Sequence, residues 1–458
     1  MRAISLFIFL ILLLLMPLVT DASAPQTLRL HGSNTMGSKL VPALVQDWLA
    51  QTNWQEIQQK TTAVDEALVL AKRLDGSSIE IEIASHGTST GFVDLLAGRC
   101  DVAMASRPVS AGEKLAEGAA GIGSQDREHV VALDGVVVAV HANVAVKALT
   151  VTQLRQVFAG EIANWSAFGG PNLPIKLFGR DIRSGTYETF RMLVLGAQKL
   201  SSNTAVFEAN ADVVKAVART PGAIGFMSLA AAQKSKLLAI DVGASAPIIA
   251  SVGSIATEDY PLARRLYLYD ARQKNPLADS FLLYVLSRKG QAMVAQHGFV
   301  DLAVRPVVSV PQIAAPAEYQ DMVRGAKRLN VNFRFNDSNA ILDNRAMADV
   351  ARLSQFVNDP ANKGGTLRLA GFTDASFKNA YTELTLSESW ADLVASELAR
   401  SKVSVQMVRG FGRALPVAGN DEALGRLQNR RVETWWIPPV VAPVQLGSGA
   451  LAPSAMLD

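Results

Sequence analysis

Segment 79–84 constrains the fold of this chain more than any other. It reads Ile-Glu-Ile-Glu-Ile-Ala, the period-two alternation of a half-exposed strand. It runs on into His86-Gly87-Thr88-Ser89-Thr90-Gly91 and then a helical pattern. Leu28-Arg29-Leu30 repeats the arrangement, with His31-Gly32-Ser33-Asn34-Thr35 as the loop and a helix through Leu40, Leu44 and Trp48. Repeated strand–loop–helix units predict an α/β architecture with mostly parallel sheets. The pattern persists from Thr27 to Leu302.

With 458 residues the chain is long enough for two or three domains. Residues 304–328 are proline-rich at their start and read as an extended, semi-rigid linker. A second module is expected over 329–437. Its strands fall near 330–335, 366–370, 406–410 and 431–437, and its helices near 340–357 and 386–399. Residues 438–458 have the Pro, Gly, Ala and Ser composition of a disordered tail. At the other end, Met1-Arg2 precedes an apolar run, with Ala22, Ser23 and Ala24 after it. Residues 1–24 are therefore expected to be a signal peptide, and the rest a protein of the periplasm and cell envelope. The single cysteine, Cys100, excludes an intramolecular disulfide. A formal net charge of +3 does not suggest a nucleic-acid partner.

Three loops of the first module, 25–303, combine glycine with hydroxyl residues between a strand and a helix: Gly32-Ser33-Asn34-Thr35, Gly87-Thr88-Ser89 and Ser184-Gly185-Thr186. Helix N-termini offer unpaired N–H groups and a partial positive charge to an oxyanion. Arg180 can add a bidentate contact, and Ser106-Arg107 a further hydroxyl and guanidinium. Any one such loop could be an ordinary helix cap. Together with two arginines they suggest an anion site. His31 and His86 are expected to be solvated turn residues rather than ligands, with no paired carboxylate at recognisable spacing. The histidines show no metal-ligand spacing, and no nucleophile with an activating base stands out. No catalytic residue, metal or cofactor is expected.

The motifs "GSNTM", "HGTSTG", "DVAMASRPVS", "IKLFGRDIRSGTYETF" and "PGAIGFMSL" resemble the phosphate-binding protein family of ABC transporters. The resemblance implies a two-lobed type II periplasmic binding fold with phosphate, or a similar tetrahedral oxyanion, held between the lobes. It also implies an ABC permease or sensor as a partner. Carried over, Thr35 and Met36 fall on a hydroxyl and two backbone amides of the family's site. Thr88 falls on its second-loop serine, and Arg180, Ser184, Gly185 and Thr186 on its arginine and "SGT" donors. Ser33, Asn34, Ser89 and Ser106 complete the expected site. Arg107 stands where the best-known members place a proton-accepting aspartate, and a second branch of the family has "SR" there. With Arg107 at that position, phosphate dianion is expected to bind at least as well as monoanion.

The motifs "LRLAGFTDAS", "LSESWADLVASELA" and "GRLQNRRVE" over 329–437 resemble the OmpA-like domain. This implies a smaller α+β fold, βαβαββ, and a peptidoglycan partner. Asp374 falls on the family's stem-peptide aspartate. Trp390 replaces its arginine, and Leu386, Trp390, Leu393 and Val394 form an apolar helical stripe. Arg430 and Arg431, with Arg413 a weaker candidate, remain near the expected groove. Weak peptidoglycan binding is expected, strengthened by Trp390→Arg. The alternative to a tethered oxyanion receptor is a non-catalytic envelope-anchoring or assembly protein whose receptor-like domain binds no anion.

Overall fold

The computed structural model describes residues 24–117, 121–182, 184–232, 234–243, 246–308, 315–335, 341–377, 379–421 and 423–439. The expected signal peptide and the tail from 440 onward lie outside the described residues. The described residues divide into two units. No helix among them is long and apolar enough to cross a membrane.

The first unit runs to Ala132 and adds Asp181–Thr189 and Arg265–Phe299. Its strands lie in the order Gln55–Ala63, Glu66–Lys72, Ser78–Ala84, Gln26–Gly32, Val102–Ala105 and Ala263–Asp270. The middle three are parallel, and antiparallel pairs flank them. The expectation of mostly parallel sheets therefore fails at the edges. Val64 and Asp65 alone join the first two strands, too few residues for a crossover, and Asp65 turns the chain at φ 61°. In segment 79–84 the three isoleucines are buried and the two glutamates are not. They pack with Leu28 and Leu30 against Leu40, Leu44 and Trp48 of helix Leu40–Gln51. Truncating such a buried isoleucine to alanine costs about 2–5 kcal/mol.

The second unit holds Leu133–Arg180, Phe190–Arg264 and the chain from Val300 on. In its first part, strands Glu128–Val140, Ala223–Ser228, Lys176–Arg180 and Ala205–Phe207 pair in that order. The rings of Phe190 and Phe226 stack at 4.1 Å and 4° in its core.

The C-terminal part is a sheet in the order Lys327–Arg334, Arg431–Ile437, Thr366–Phe372 and Val405–Gly410. Helices Asn344–Asn358 and Ala380–Arg400 pack against it through Val350, Leu353, Trp390, Val394 and Leu398. The succession is βαβαββ with a short added helix, Ala423–Asn429, before the last strand. Where an extended linker was expected, the chain forms helix Ala317–Val323 instead. Tyr319 and Met322 of this helix are buried against Phe372 and Trp435, and apolar burial outweighs the extended bias of the prolines before it. The start of the expected linker is also fixed. Arg305 N–H donates to Asn330 Oδ1 at 2.8 Å, and Asn330 Nδ2 donates to the Ala303 carbonyl at 2.8 Å.

Within this unit the C-terminal sheet grips the loop after helix Val252–Ala256. Asp259 accepts from Arg328 at 2.7 Å, Arg334 at 2.9 Å and Asn332 at 3.0 Å. Arg345 pairs with Glu258 at 2.8 Å and with Asp349 at 3.2 Å. Burial pulls the Asp259 carboxyl upward, but Arg328 and Arg334 outweigh it and hold it below the usual carboxylate range.

Candidate functional site

All the expected anion-site residues except Arg180 fall in the first unit, and close backbone approaches assemble the first two loops beside the segment that ends in Ser106. Ser33 N–H donates to the Met104 carbonyl at 2.8 Å, and Gly87 N–H to the Gly32 carbonyl at 2.8 Å. Gly32 sits at φ 132°, and a Cβ there would lie 2.2 Å from Met104 O, so only glycine fits. Asn34 Nδ2 reaches the Ser85 carbonyl at 3.3 Å, and Met36 is buried. Thr35 belongs to the same first turn as Asn34 and Met36.

Helix Thr88–Leu96 begins after Gly87, at φ 116°, with no side-chain cap. Its first-turn N–H groups are thus left to another acceptor. Thr88 Oγ1 accepts from Ser106 N–H at 3.0 Å and lies 3.2 Å from Ser106 Oγ. Both hydroxyls are buried. Ser33 Oγ is buried too, and it has no hydrogen-bond partner among the described residues. Ser184 Oγ is already satisfied: it donates to the Asp181 carbonyl at 2.9 Å and accepts from Tyr187 N–H at 3.0 Å. Gly185 starts the helix that carries buried Thr186. In the second unit, Arg180 is held by the carbonyls of Phe207 at 3.3 Å and Glu208 at 2.5 Å.

Arg107 differs from expectation. Its two terminal nitrogens meet Glu113 in a two-point pair, 2.9 Å each, and one also donates to Ser89 Oγ at 3.0 Å. Its Nε lies 3.7 Å from Glu188. Hydrogen bonding to Glu113 raises the Arg107 pKa further. Burial would raise Glu113, but the bonds from Arg107 and from Ser110 N–H hold it low. Arg107 is therefore a neutralised, pinned group and not an open anion donor. Neither Glu113 nor Glu188 stood out in the sequence. Ser110-Ala111-Gly112-Glu113 was legible as a capping box, and Glu113 N–H does donate to Ser110 Oγ at 3.3 Å.

The histidine expectation is also corrected. His31 is buried, with Nδ1 2.8 Å from Asp94 and Nε2 3.1 Å from Glu82. His86 pairs with Glu66 at 2.9 Å. Strand pairing supplies Glu82 and Glu66, and helix Thr88–Leu96 supplies Asp94, all from distant positions, so local spacing could not show them.

In the C-terminal module Asp374 is fully buried. Its Oδ2 accepts from Arg430 at 3.1 Å and from Ser376 at 2.7 Å, while Oδ1 has no hydrogen-bond partner among the described residues. Arg431 is not a groove residue. It is 1% exposed, pairs with Glu433 at 2.8 Å and lies over the Phe372 ring at 4.1 Å. Successive residues of a strand face opposite ways, so only one of the two arginines can point to the groove. Arg413 is paired with Glu383. Trp390 is fully buried and stacks on Phe335 at 4.8 Å and 4°, as its apolar stripe implied.

These features define a solute-binding class, with hydroxyl-rich loops at strand ends and uncapped helix starts. The sequence matches the PBP superfamily domain over residues 52–289 and the OmpA family over residues 334–430. The chain belongs to the PBP superfamily and carries a C-terminal OmpA-family domain. It is 30% identical over 224 residues to the phosphate-binding protein PstS of Bacillus subtilis, which spans 48% of this chain and 71% of that protein. It is 27% identical over 264 residues to protein SphX of Synechococcus elongatus, 54% of this chain and 77% of the other. A solved structure of a possible phosphate binding protein from Planctomyces limnophilus shares 25% identity with a TM-score of 0.48. It covers 61% of this chain and 93% of that one.

Proposed function

We propose that this protein is a periplasmic receptor for phosphate or a similar tetrahedral oxyanion, exported by residues 1–24 and held at the cell envelope by its OmpA-family domain. The observation that carries the proposal is the buried hydroxyl of Ser33 beside the uncapped start of helix Thr88–Leu96. A buried hydroxyl without a partner costs about 1–3 kcal/mol, and an oxyanion bound there would recover it. Thr35, Thr88, Ser89, Ser106 and Thr186 supply further donors, and Gly185 lets the backbone approach. Arg107 holds its neighbours Ser89 and Glu113 in place. The name of the Bacillus subtilis relative supports phosphate as the ligand, and an ABC permease or sensor is the partner that such a receptor would serve.

Calorimetry on the full chain with phosphate, arsenate and sulfate tests this. Binding tighter than about 1 mM is expected for phosphate, the affinity that corresponds to roughly −4.1 kcal/mol. No binding by any of the three overturns the receptor proposal and leaves an envelope-anchoring protein. On the wall side, Asp374 and Arg430 are the groups that remain for a stem peptide. Because they are already paired with each other, sedimentation with purified sacculi should give weak binding that high salt screens.

A further inference from the structure

Strand Gln26–Gly32 and helix Thr88–Leu96 are joined by one buried imidazole. His31 is the last residue but one of that strand and stands two residues before Ser33. Its ring is met on both sides: Nδ1 lies 2.8 Å from Asp94 Oδ2, and Nε2 lies 3.1 Å from Glu82 Oε1. Asp94 belongs to the helix, and Glu82 to strand Ser78–Ala84. The helix packs directly on the strand end, since a Cβ at Gly91 would lie 2.7 Å from the His31 carbonyl oxygen. Arg99 holds the other oxygen of Asp94 at 2.8 Å. Arg29, on the same strand as His31, pairs with Asp101 and adds attraction for Glu82. Burial would raise the Asp94 carboxyl, but the bonds from His31 and Arg99 hold it below the usual carboxylate range. An ionised carboxylate only accepts, so both ring contacts are hydrogen bonds only while both ring nitrogens carry a hydrogen. A neutral ring would turn a lone pair toward one of the two carboxylates.

We infer that His31, in its doubly protonated form, is a positioning residue of the proposed anion site: by bridging Asp94 and Glu82 it fixes the start of helix Thr88–Leu96 against the Gly32–Ser33 loop. The ring does not touch the ligand. It acts through the helix, whose first-turn N–H groups and Thr88 hydroxyl must stay aligned with the Ser33 hydroxyl to hold one oxyanion. Phe92 and Leu95 bury the helix whatever the charge on the ring, so loss of the bridge disturbs alignment before it disturbs the fold. The alignment is present while the ring is protonated and is lost as pH rises and the ring gives up a proton. The inference rests on the receptor proposal above.

The test is calorimetry with phosphate on the full chain, for the natural protein, His31→Gln and Glu82→Gln, at about pH 6 and about pH 8, a span over which a histidine can change charge. Melting temperatures are recorded on the same samples. At the lower pH, His31→Gln should bind phosphate about tenfold more weakly than the natural chain. At the higher pH the gap should narrow, because the natural chain then lacks the second ring N–H as well. The ionisation of phosphate is common to all three chains and cancels in the ratio, as does that of His86, which faces Glu66 beside the same loop. Glu82→Gln changes a side chain that is 52% exposed and keeps the test available should His31→Gln fail to fold. Its amide can donate to an unprotonated Nε2, so its affinity relative to the natural chain should rise with pH. A ratio of natural to His31→Gln affinity that is the same at both pH values assigns the ring a packing role only and overturns the inference. A constant ratio for Glu82→Gln overturns it too. Either result leaves the receptor proposal standing. Absence of phosphate binding by the natural chain is the failure of the receptor proposal itself, and the inference falls with it.

Discussion

Asp259 and Arg334 lie 2.9 Å apart, each with a side chain only 8% exposed, and they join two parts of the second unit that the sequence separates by a proline-rich stretch. Arg328 closes on the other carboxylate oxygen at 2.7 Å. Removing one member of a buried charge group strands the others without solvent, which typically costs about 3–5 kcal/mol. Asp259→Ala should destabilise the second unit by that much, read as the fall in urea midpoint multiplied by the m-value. Fluorescence of buried Trp165, Trp390 and Trp436 reports the transition. A shift no larger than that of an exposed control such as Asp212→Ala would show that the pairing contributes little.

Acid should act on the same contact. The folded-state carboxyls of Asp259 and Glu433 are held low by their arginines, which outweigh the upward pull of burial. A group depressed on folding contributes stability above its unfolded pKa, about 4 for a carboxyl, and loses it as pH falls through the folded value. The second unit should therefore be insensitive to pH between about 5 and 8 and lose stability progressively below about 4. Melting curves from pH 7 down to pH 3 check this, and Asp259→Asn should flatten the acid limb.

Ser33→Ala separates binding from folding. The Ser33 hydroxyl has no partner among the described residues, so its removal sacrifices no internal hydrogen bond and should leave the melting temperature unchanged or slightly higher. Loss of one donor to an ionised ligand should weaken phosphate by about 1.5–3 kcal/mol, tenfold or more. Calorimetry and differential scanning on the same sample supply both numbers. An unaltered affinity would place the anion elsewhere.

Trp390→Arg has an outcome opposite to the one the family pattern suggests. The indole is fully buried against Phe335, so an arginine there would lose the ring stacking and bury an unpaired charge. The expected result is loss of roughly 3–5 kcal/mol of stability and no gain in sacculus binding. A folded variant with tighter sedimentation would mean that the helix turns to present position 390 to the groove.

Segment 79–84, helix Leu40–Gln51 and the apolar stripe around Trp390 were legible because each follows from a local period. The hydroxyl loops were legible for the same reason: glycine and a cap residue mark the end of a strand and the start of a helix. Carboxylate partners were not. Glu82 approaches His31 only after two strands far apart in sequence have paired, and Asp94 and Glu188 reach His31 and Arg107 from helices that tertiary packing brings up, whereas Glu113 lies only six residues from Arg107. The burial of Arg431 depended on which face of the last strand each arginine takes. Helix Ala317–Val323 was masked by the prolines before it, although Tyr319 and Met322 sit at helical spacing, i and i+3.

The grip on Asp259 also sets how force passes through the molecule. A pull applied at the Asp374–Arg430 pair enters the last strand next to Arg431. From there it passes to Glu433 at 2.8 Å, to Arg328 at 3.3 Å and to Asp259 at 2.7 Å. Load from a wall attachment would thus reach the loop after Val252–Ala256 across several ionic contacts. The C-terminal domain is therefore set as a bracket on that loop and not as a leash.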